Sequence, residues 1–144
     1  AALRNEMQSL AASLPEYPIV MGMFGVGPAL GPQLMAEIGD VRRFHSKKAL
    51  VAFAGIDAPP YQSGQMEIRS RSISKRGSAV LRRTLFLVMS AVLRCSPADE
   101  PVYQFMDRKR TEGKPYRVYM MASANKFLRI YYATVKQYLD SLEA

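Results

Sequence analysis

The sequence predicts a mostly α protein: a compact helical domain with a glycine-turned N-terminal part, a long polar loop and a long C-terminal helix. Three observations carry this. Apolar residues recur at three- and four-residue spacing in several separate stretches, the period of one helix face. From Tyr116 to Leu142 neither glycine nor proline interrupts the chain. Alternation of the kind that marks strands is weak everywhere, and only Gln65 to Ile73 suggests a two-stranded ribbon.

Length and composition bound the reading. The 144 residues, 49% hydrophobic and 22% charged, fit one domain with a real core and exclude a wholly disordered or collagen-like chain. A single cysteine, Cys95, excludes a disulfide framework and a cysteine-rich zinc site. No apolar run approaches the ~20 residues that span a bilayer, and no basic-then-apolar leader opens the chain. A soluble, cytoplasmic domain with no membrane partner is expected.

The elements follow in order. Leu3, Met7, Leu10 and Leu14 form one stripe on a helix that Pro15 stops. Residues 1–17 read either as the end of an upstream linker or coiled-coil helix, or as a short helix packed on its own domain. Met21-Gly22-Met23-Phe24-Gly25-Val26-Gly27-Pro28 is a tight turn entering a helix at about Ala29. Leu30, Leu34, Met35 and Ile38 make that helix's apolar face, and Gly39 ends it. A further short helix starts from Ser46, its expected N-cap, turns Leu50, Val51 and Phe53 inward, and closes at Gly55.

Residues 57–74 differ in kind. Pro59-Pro60, Tyr61-Gln62-Ser63-Gly64 and Arg69-Ser70-Arg71-Ser72 carry no apolar period, and loops of this length inside a compact domain are usually functional or disordered. From about Arg76 to Cys95 the helical pattern returns, with Val80, Leu81, Leu85, Val88, Ala91, Val92 and Cys95 on one face, and Pro97 ends it. Cys95 is expected buried and inert. Pro101 to about Thr111 is a shorter helix with Val102, Phe105 and Met106 inside, stopped by Gly113. Pro115 opens the last helix, whose Tyr116, Tyr119, Tyr131, Tyr132 and Tyr138 are expected as core and packing surface.

Charge points to a partner. Twenty Lys+Arg against twelve Asp+Glu give +8, which favours a polyanion. Residues 57–94 hold seven basic and two acidic side chains, most of that surplus. Lys75, Arg76, Arg82 and Arg83 crowd a helix entrance, where the macrodipole disfavours cations unless an anion binds there. Arg76, Arg83 and Arg94 fall on one side of that helix. With Arg69 and Arg71 they form a set that suits phosphates, or else an ordinary solvated basic face.

Two more features invite chemistry. Gly25-Val26-Gly27 at a helix mouth lets consecutive N–H groups face an anion; the bland alternative is a turn between packed helices. Its rhythm, with Met35 to Gly39 and Phe44, resembles the helix-hairpin-helix modules that grip nucleic-acid backbones. Ser63 is a candidate nucleophile only if positive charge or a base activates it, since most loop serines merely turn the chain. Tyr61 is the other hydroxyl there. His45, the sole histidine, reads as surface, and Asp57 and Glu67 are the only acids near Ser63. No carboxylate cluster suited to metal is present in the pattern.

The ordered motifs carry a resemblance from about Pro18 to Leu139. Gly25-Val26-Gly27-Pro28 comes first, then Ala36-Glu37-Ile38-Gly39-Asp40 with Arg43-Phe44, Ala54-Gly55-Ile56 and Tyr61-Gln62-Ser63-Gly64-Gln65. Ile73-Ser74-Lys75-Arg76-Gly77 with Leu81-Arg82, Gly113-Lys114 and Asn125-Lys126-Phe127 complete the order. Together they resemble the C-terminal domain of the DEDD-type insertion-sequence transposases, the group of insertion sequences one-ten, one-sixteen and nine-oh-two with the Piv invertases.

The resemblance implies that residues 1–17 end a coiled coil and that 18–144 form the C-terminal transposase domain: a helix-hairpin-helix-like part at about 18–56, a serine loop at 57–74 and a helical part at 75–144. It implies an N-terminal RuvC-like domain, absent from this chain, with an Asp-Glu-Asp-Asp site for Mg2+; no cofactor is expected on these residues. It implies that Ser63 attacks a DNA strand and forms a transient phosphoserine link, with Lys75 and Arg82 as phosphate or transition-state ligands. Gly25, Gly27, Arg69, Arg71, Arg76 and Arg83 would hold nucleic acid. DNA, a structured guide RNA and further copies of the full-length protein are the implied partners, in a bacterial or archaeal cytoplasm. The sequence departs from the family's pattern at Ala58, where proline is usual, and around Arg69 to Arg71, where glycine is frequent. The alternative reading is a non-catalytic nucleic-acid-binding and oligomerisation module, in which Ser63 only shapes a turn.

Overall fold

The protein's structure, a computed structural model, describes residues 2–57 and 77–143. Helices α1 (Ala2–Ala12), α2 (Tyr17–Met21), α3 (Leu30–Ile38) and α4 (Lys47–Ala54) precede the polar loop, with a 3-10 turn at Val41–Arg43. Helices α5 (Ala79–Cys95), α6 (Pro101–Thr111) and α7 (Tyr116–Leu142) follow it. There is no strand among the described residues, so the fold is mostly α as expected.

Helix α7 is the spine. Its 27 residues extend about 40 Å at 1.5 Å per residue, long enough to touch α2, α4, α5, α6 and the 3-10 turn. Met120, Ala124, Phe127, Leu128, Tyr131, Val135 and Leu139 recur at helical spacing and are all buried, giving the core a continuous apolar wall. Leu34 and Ile38 of α3, Leu50 of α4 and Leu81, Leu85, Val88 and Met89 of α5 close on it, each fully buried. At the far end, Arg42 ties the 3-10 turn to α7. Its guanidinium bonds Asp40 (2.9 Å) and Glu143 and lies 3.9 Å from Asp140.

Polar side chains set the starts of the helices. Ser46 Oγ accepts from the Ala49 N–H (3.1 Å), as its position before α4 foretells. Glu100 accepts from the Tyr103 N–H (2.8 Å) and starts α6. Ser78 Oγ accepts from the Leu81 N–H (3.0 Å), so α5 begins at Ala79 rather than near Arg76. The cap is decided by a contact across the fold, because the Ser78 N–H is already donated to the Phe53 carbonyl (2.6 Å).

Four burial expectations need correction. Tyr116, the first residue of α7, is 53% exposed rather than core. Val80 is 55% exposed, since the buried stripe of α5 runs through Leu81, Leu85, Val88, Met89 and Val92, centred roughly 100° away from it. Cys95 is exposed; it shares that stripe's side but is the last helical residue, where the packed face has ended. Phe105 is half-buried rather than inside, held at the α6–α7 surface beside cations. His45 is exposed, as read.

The stripe on α1 is not core. Leu3, Met7, Leu10 and Leu14 are exposed, and only Ala11 of the helix is buried. Together with Pro32, Met35 and Ala36 of α3 these side chains line an open groove of about 590 Å³. Gln8 Nε2 donates to the Pro28 carbonyl (2.8 Å) and helps to seat α1 beside α3.

Candidate nucleic-acid interface

The two described flanks of the polar loop meet. Helix α4 ends at Gly55, whose φ of +72° puts it in the left-handed region that glycine adopts without strain. The chain returns at Gly77, packed so closely on α4's exit that a Cβ there would overlap the Phe53 carbonyl oxygen and lie 2.8 Å from the Gly55 nitrogen. The Ser78-to-Phe53 bond then locks the crossing. Sequence reasoning missed Gly77; its signal was a glycine directly before a capping serine, which the basic run around it obscured.

Arg82 completes this base. One turn into α5 and half-buried, it donates from Nη1 to the Ala54 carbonyl (3.2 Å). Its guanidinium is therefore fixed where the loop leaves and re-enters the body, with further N–H donors in its planar fork. No acidic side chain lies within 4.0 Å of it among the described residues. Arg83 and Arg94 are exposed and eleven residues apart, which places them within about 20° of each other around the helix.

The start of α5 is not bare of negative charge. Ser78 Oγ donates to Glu37 Oε1 (2.7 Å), so a carboxylate from α3 already answers the positive end of the helix. The same strip of α3 is tied down by Arg43, which donates to the carbonyls of Ile38 (2.7 Å) and Glu37 (3.2 Å). Arg43 also stacks over Phe44 and Phe53, 4.3 and 5.1 Å from their ring centres. A further polar tie, Thr84 Oγ1 to Gln33 Oε1 (3.1 Å), holds α3 to α5.

The glycine turn divides by residue. Gly25 has φ +86°, and a Cβ there would come within 2.9 Å of Val92 Cγ2 and 3.0 Å of the Val88 carbonyl oxygen. Packing on α5 thus accounts for that glycine. Gly27 meets nothing within 4 Å and stands at the mouth of α3, whose N-cap Ala29 offers no side-chain acceptor; in the first turn the Gly31 N–H is donated to the Gly27 carbonyl (2.8 Å) and Pro32 has no N–H.

Ser63, Tyr61, Arg69, Arg71, Lys75 and Arg76 lie outside the described residues, as do Glu67, the Gln65–Ile73 ribbon and most of the serine loop. Of the basic set read from sequence, the structure brings Arg82 to the loop base and leaves Arg83 and Arg94 outward. Among the described residues, no three His, Cys, Asp or Glu side chains converge as metal ligands. Among the described residues, no helix is long and apolar enough to cross a membrane.

Comparison with known proteins gives the class. Residues 17–104 match the family model described as Transposase IS116/IS110/IS902 family, and the chain belongs to that family. It is 34% identical over 134 residues to the pilin gene-inverting protein of Moraxella bovis, covering 92% of this chain and 38% of that one. A probable family 20 transposase of Pseudomonas aeruginosa is 26% identical over 137 residues, 95% of this chain and 40% of the relative. The transposase for insertion sequence element IS1111A of Coxiella burnetii is 33% identical over 90 residues, 62% of this chain and 24% of that one. The chain thus spans less than half the length of these curated relatives.

Proposed function

We propose that this chain is the serine-bearing domain of a DNA transposase or site-specific recombinase, with Ser63 as the nucleophile. The observation that carries the reading is the pinned loop base. The described residues that flank the Ser63 segment, up to Asp57 and from Gly77, meet beside the Arg82 guanidinium (Arg82 to Ala54, 3.2 Å). The family match supports it, since its span of residues 17–104 takes in the whole serine loop.

The chemistry is phosphoryl transfer. Ser63 Oγ loses its proton and forms a bond to the scissile phosphorus, while the phosphorus–oxygen bond to one strand end breaks and the released sugar oxygen takes a proton. Attack by an incoming strand's hydroxyl reverses the step and frees the serine. Charge on the non-bridging oxygens is then best met by fixed cations: Arg82 by its place at the loop base, and Lys75, Arg69, Arg71 and Arg76 by their place in the sequence. Gly27, whose Cα faces open space, and Arg83 on the outer face of α5 would hold backbone phosphates.

The relatives' greater length accords with an added RuvC-like domain, which would hold Mg2+ and supply metal assistance to the attack. The described residues of this chain hold no cluster of His, Cys, Asp or Glu that would fit that ion. Guidance by a structured RNA and assembly of several full-length copies belong to the same proposal, on the family resemblance alone.

Strand exchange by the full-length protein carrying Ser63→Ala tests the nucleophile. Recombination should fall to background, and no covalent protein–DNA adduct should be trapped. Undiminished exchange would instead favour the binding-and-oligomerisation module.

A further inference from the structure

A second cationic cluster lies on other elements. Phe105 of α6 is half-buried, and three cations from two helices surround its ring. Lys126 Nζ of α7 is 5.3 Å from the ring centre, Lys109 Nζ of α6 5.5 Å, and Arg108 Cζ of α6 5.6 Å. The α6 members follow from sequence spacing, since residues three and four after Phe105 share its face. Lys126 arrives only through the antiparallel packing of α6 on α7, so the cluster is a product of the fold.

Its charge is poorly compensated. Glu112 reaches Lys109 at 3.6 Å, and among the described residues no acid lies within 4.0 Å of Arg108 or Lys126. Nearby Arg110 is different, being paired with Asp107 at 2.8 Å. Arg129, one turn beyond Lys126 on α7, is exposed and bonded to Asn125 Oδ1 (2.7 Å). Cation–π attraction holds the three heads at one ring, yet like charges gathered this closely repel. A polyanion laid across them relieves the repulsion and releases counterions.

We infer that the Lys126–Lys109–Arg108 cluster around Phe105 is a second DNA-backbone contact, separate from the loop base, which tracks phosphates. The occupant is duplex DNA, and this choice rests on the recombinase reading above. Phe105 is half-buried with three cations within 5.6 Å of its ring centre, which disfavours base stacking on it. The ring acts as a post that keeps three flexible cations in register.

The test is the salt dependence of duplex binding by this chain, comparing the parent with Arg108→Gln/Lys109→Gln/Lys126→Gln and with Arg108→Gln alone. Each lost phosphate contact lowers the log–log salt slope by about 0.9. The triple variant should therefore lose about 2–3 from the slope and the single variant about 1, with helical content and melting unchanged. Lys126→Arg, which keeps the charge, should keep the slope. Arg108 is exposed, so the single variant keeps the test valid should the triple variant fold poorly. An unaltered slope in a parent that binds DNA would overturn the second contact and leave the loop-side reading intact. A parent with no salt-dependent DNA binding would overturn both. A change confined to a matched RNA duplex would overturn the assignment to DNA.

Discussion

Tyr131 shows how a residue can be legible in type and illegible in detail. Its place on the apolar face of α7 foretells burial, and it is fully buried. Among the described residues, however, its hydroxyl has no hydrogen-bond partner. Burial, with a smaller push from the buried Glu16 carboxylate, raises its phenol well above the ordinary value. A phenol with a raised folded pKa supports the fold fully below about pH 10 and loses that support as pH rises further. Tyr131→Phe keeps the shape and removes an unsatisfied hydroxyl, so stability at neutral pH should be unchanged or higher by about 1 kcal/mol. The variant should also lose less stability than the parent between about pH 9 and pH 11, and paired denaturant titrations at the two pH values check both. The same lesson holds for serines. Ser46 and Ser78 each cap a helix through the N–H three residues on, but Ser78 sits in a basic run of good helix formers, and the Glu37 and Phe53 bonds that fix it come from distant chain.

At the scale of elements, the joint between α4 and α5 is where the loop's two ends are held. Gly77→Ala would drive a methyl group into the backbone of Phe53 and Gly55, which are rigid parts of a helix terminus. Overpacking of this kind costs about 1–3 kcal/mol, and the urea midpoint should fall accordingly with little change in slope. Salt-dependent DNA binding should weaken too, since Arg82 is anchored to the same carbonyl edge. Helices α3, α6 and α7 were readable within a residue or so, because glycine and proline punctuate them. The start of α5 was not, since Lys75 and Arg76 are good helix formers and nothing local forbids a longer helix. The stripe on α1 was correctly helical, but period alone does not say which surface covers it.

At the scale of the whole molecule, this chain holds an arginine at a loop base and no described metal-ligand cluster, while its relatives are more than twice as long. The 144-residue chain by itself should bind duplex DNA weakly and with steep salt dependence, and it should not cut it. A gel assay with supercoiled DNA in Mg2+ checks the second half, and robust nicking would contradict it. The family was legible in the order of short motifs rather than in any one of them, since each block taken singly also serves as a turn or cap. The Phe105 cluster was not legible, because one of its three cations is contributed by another helix. The staple between Ser78 and Phe53 also means that chain closure at this joint is nearly insensitive to length: doubling the number of residues between the two held ends would add only about 0.6 kcal/mol of closure entropy.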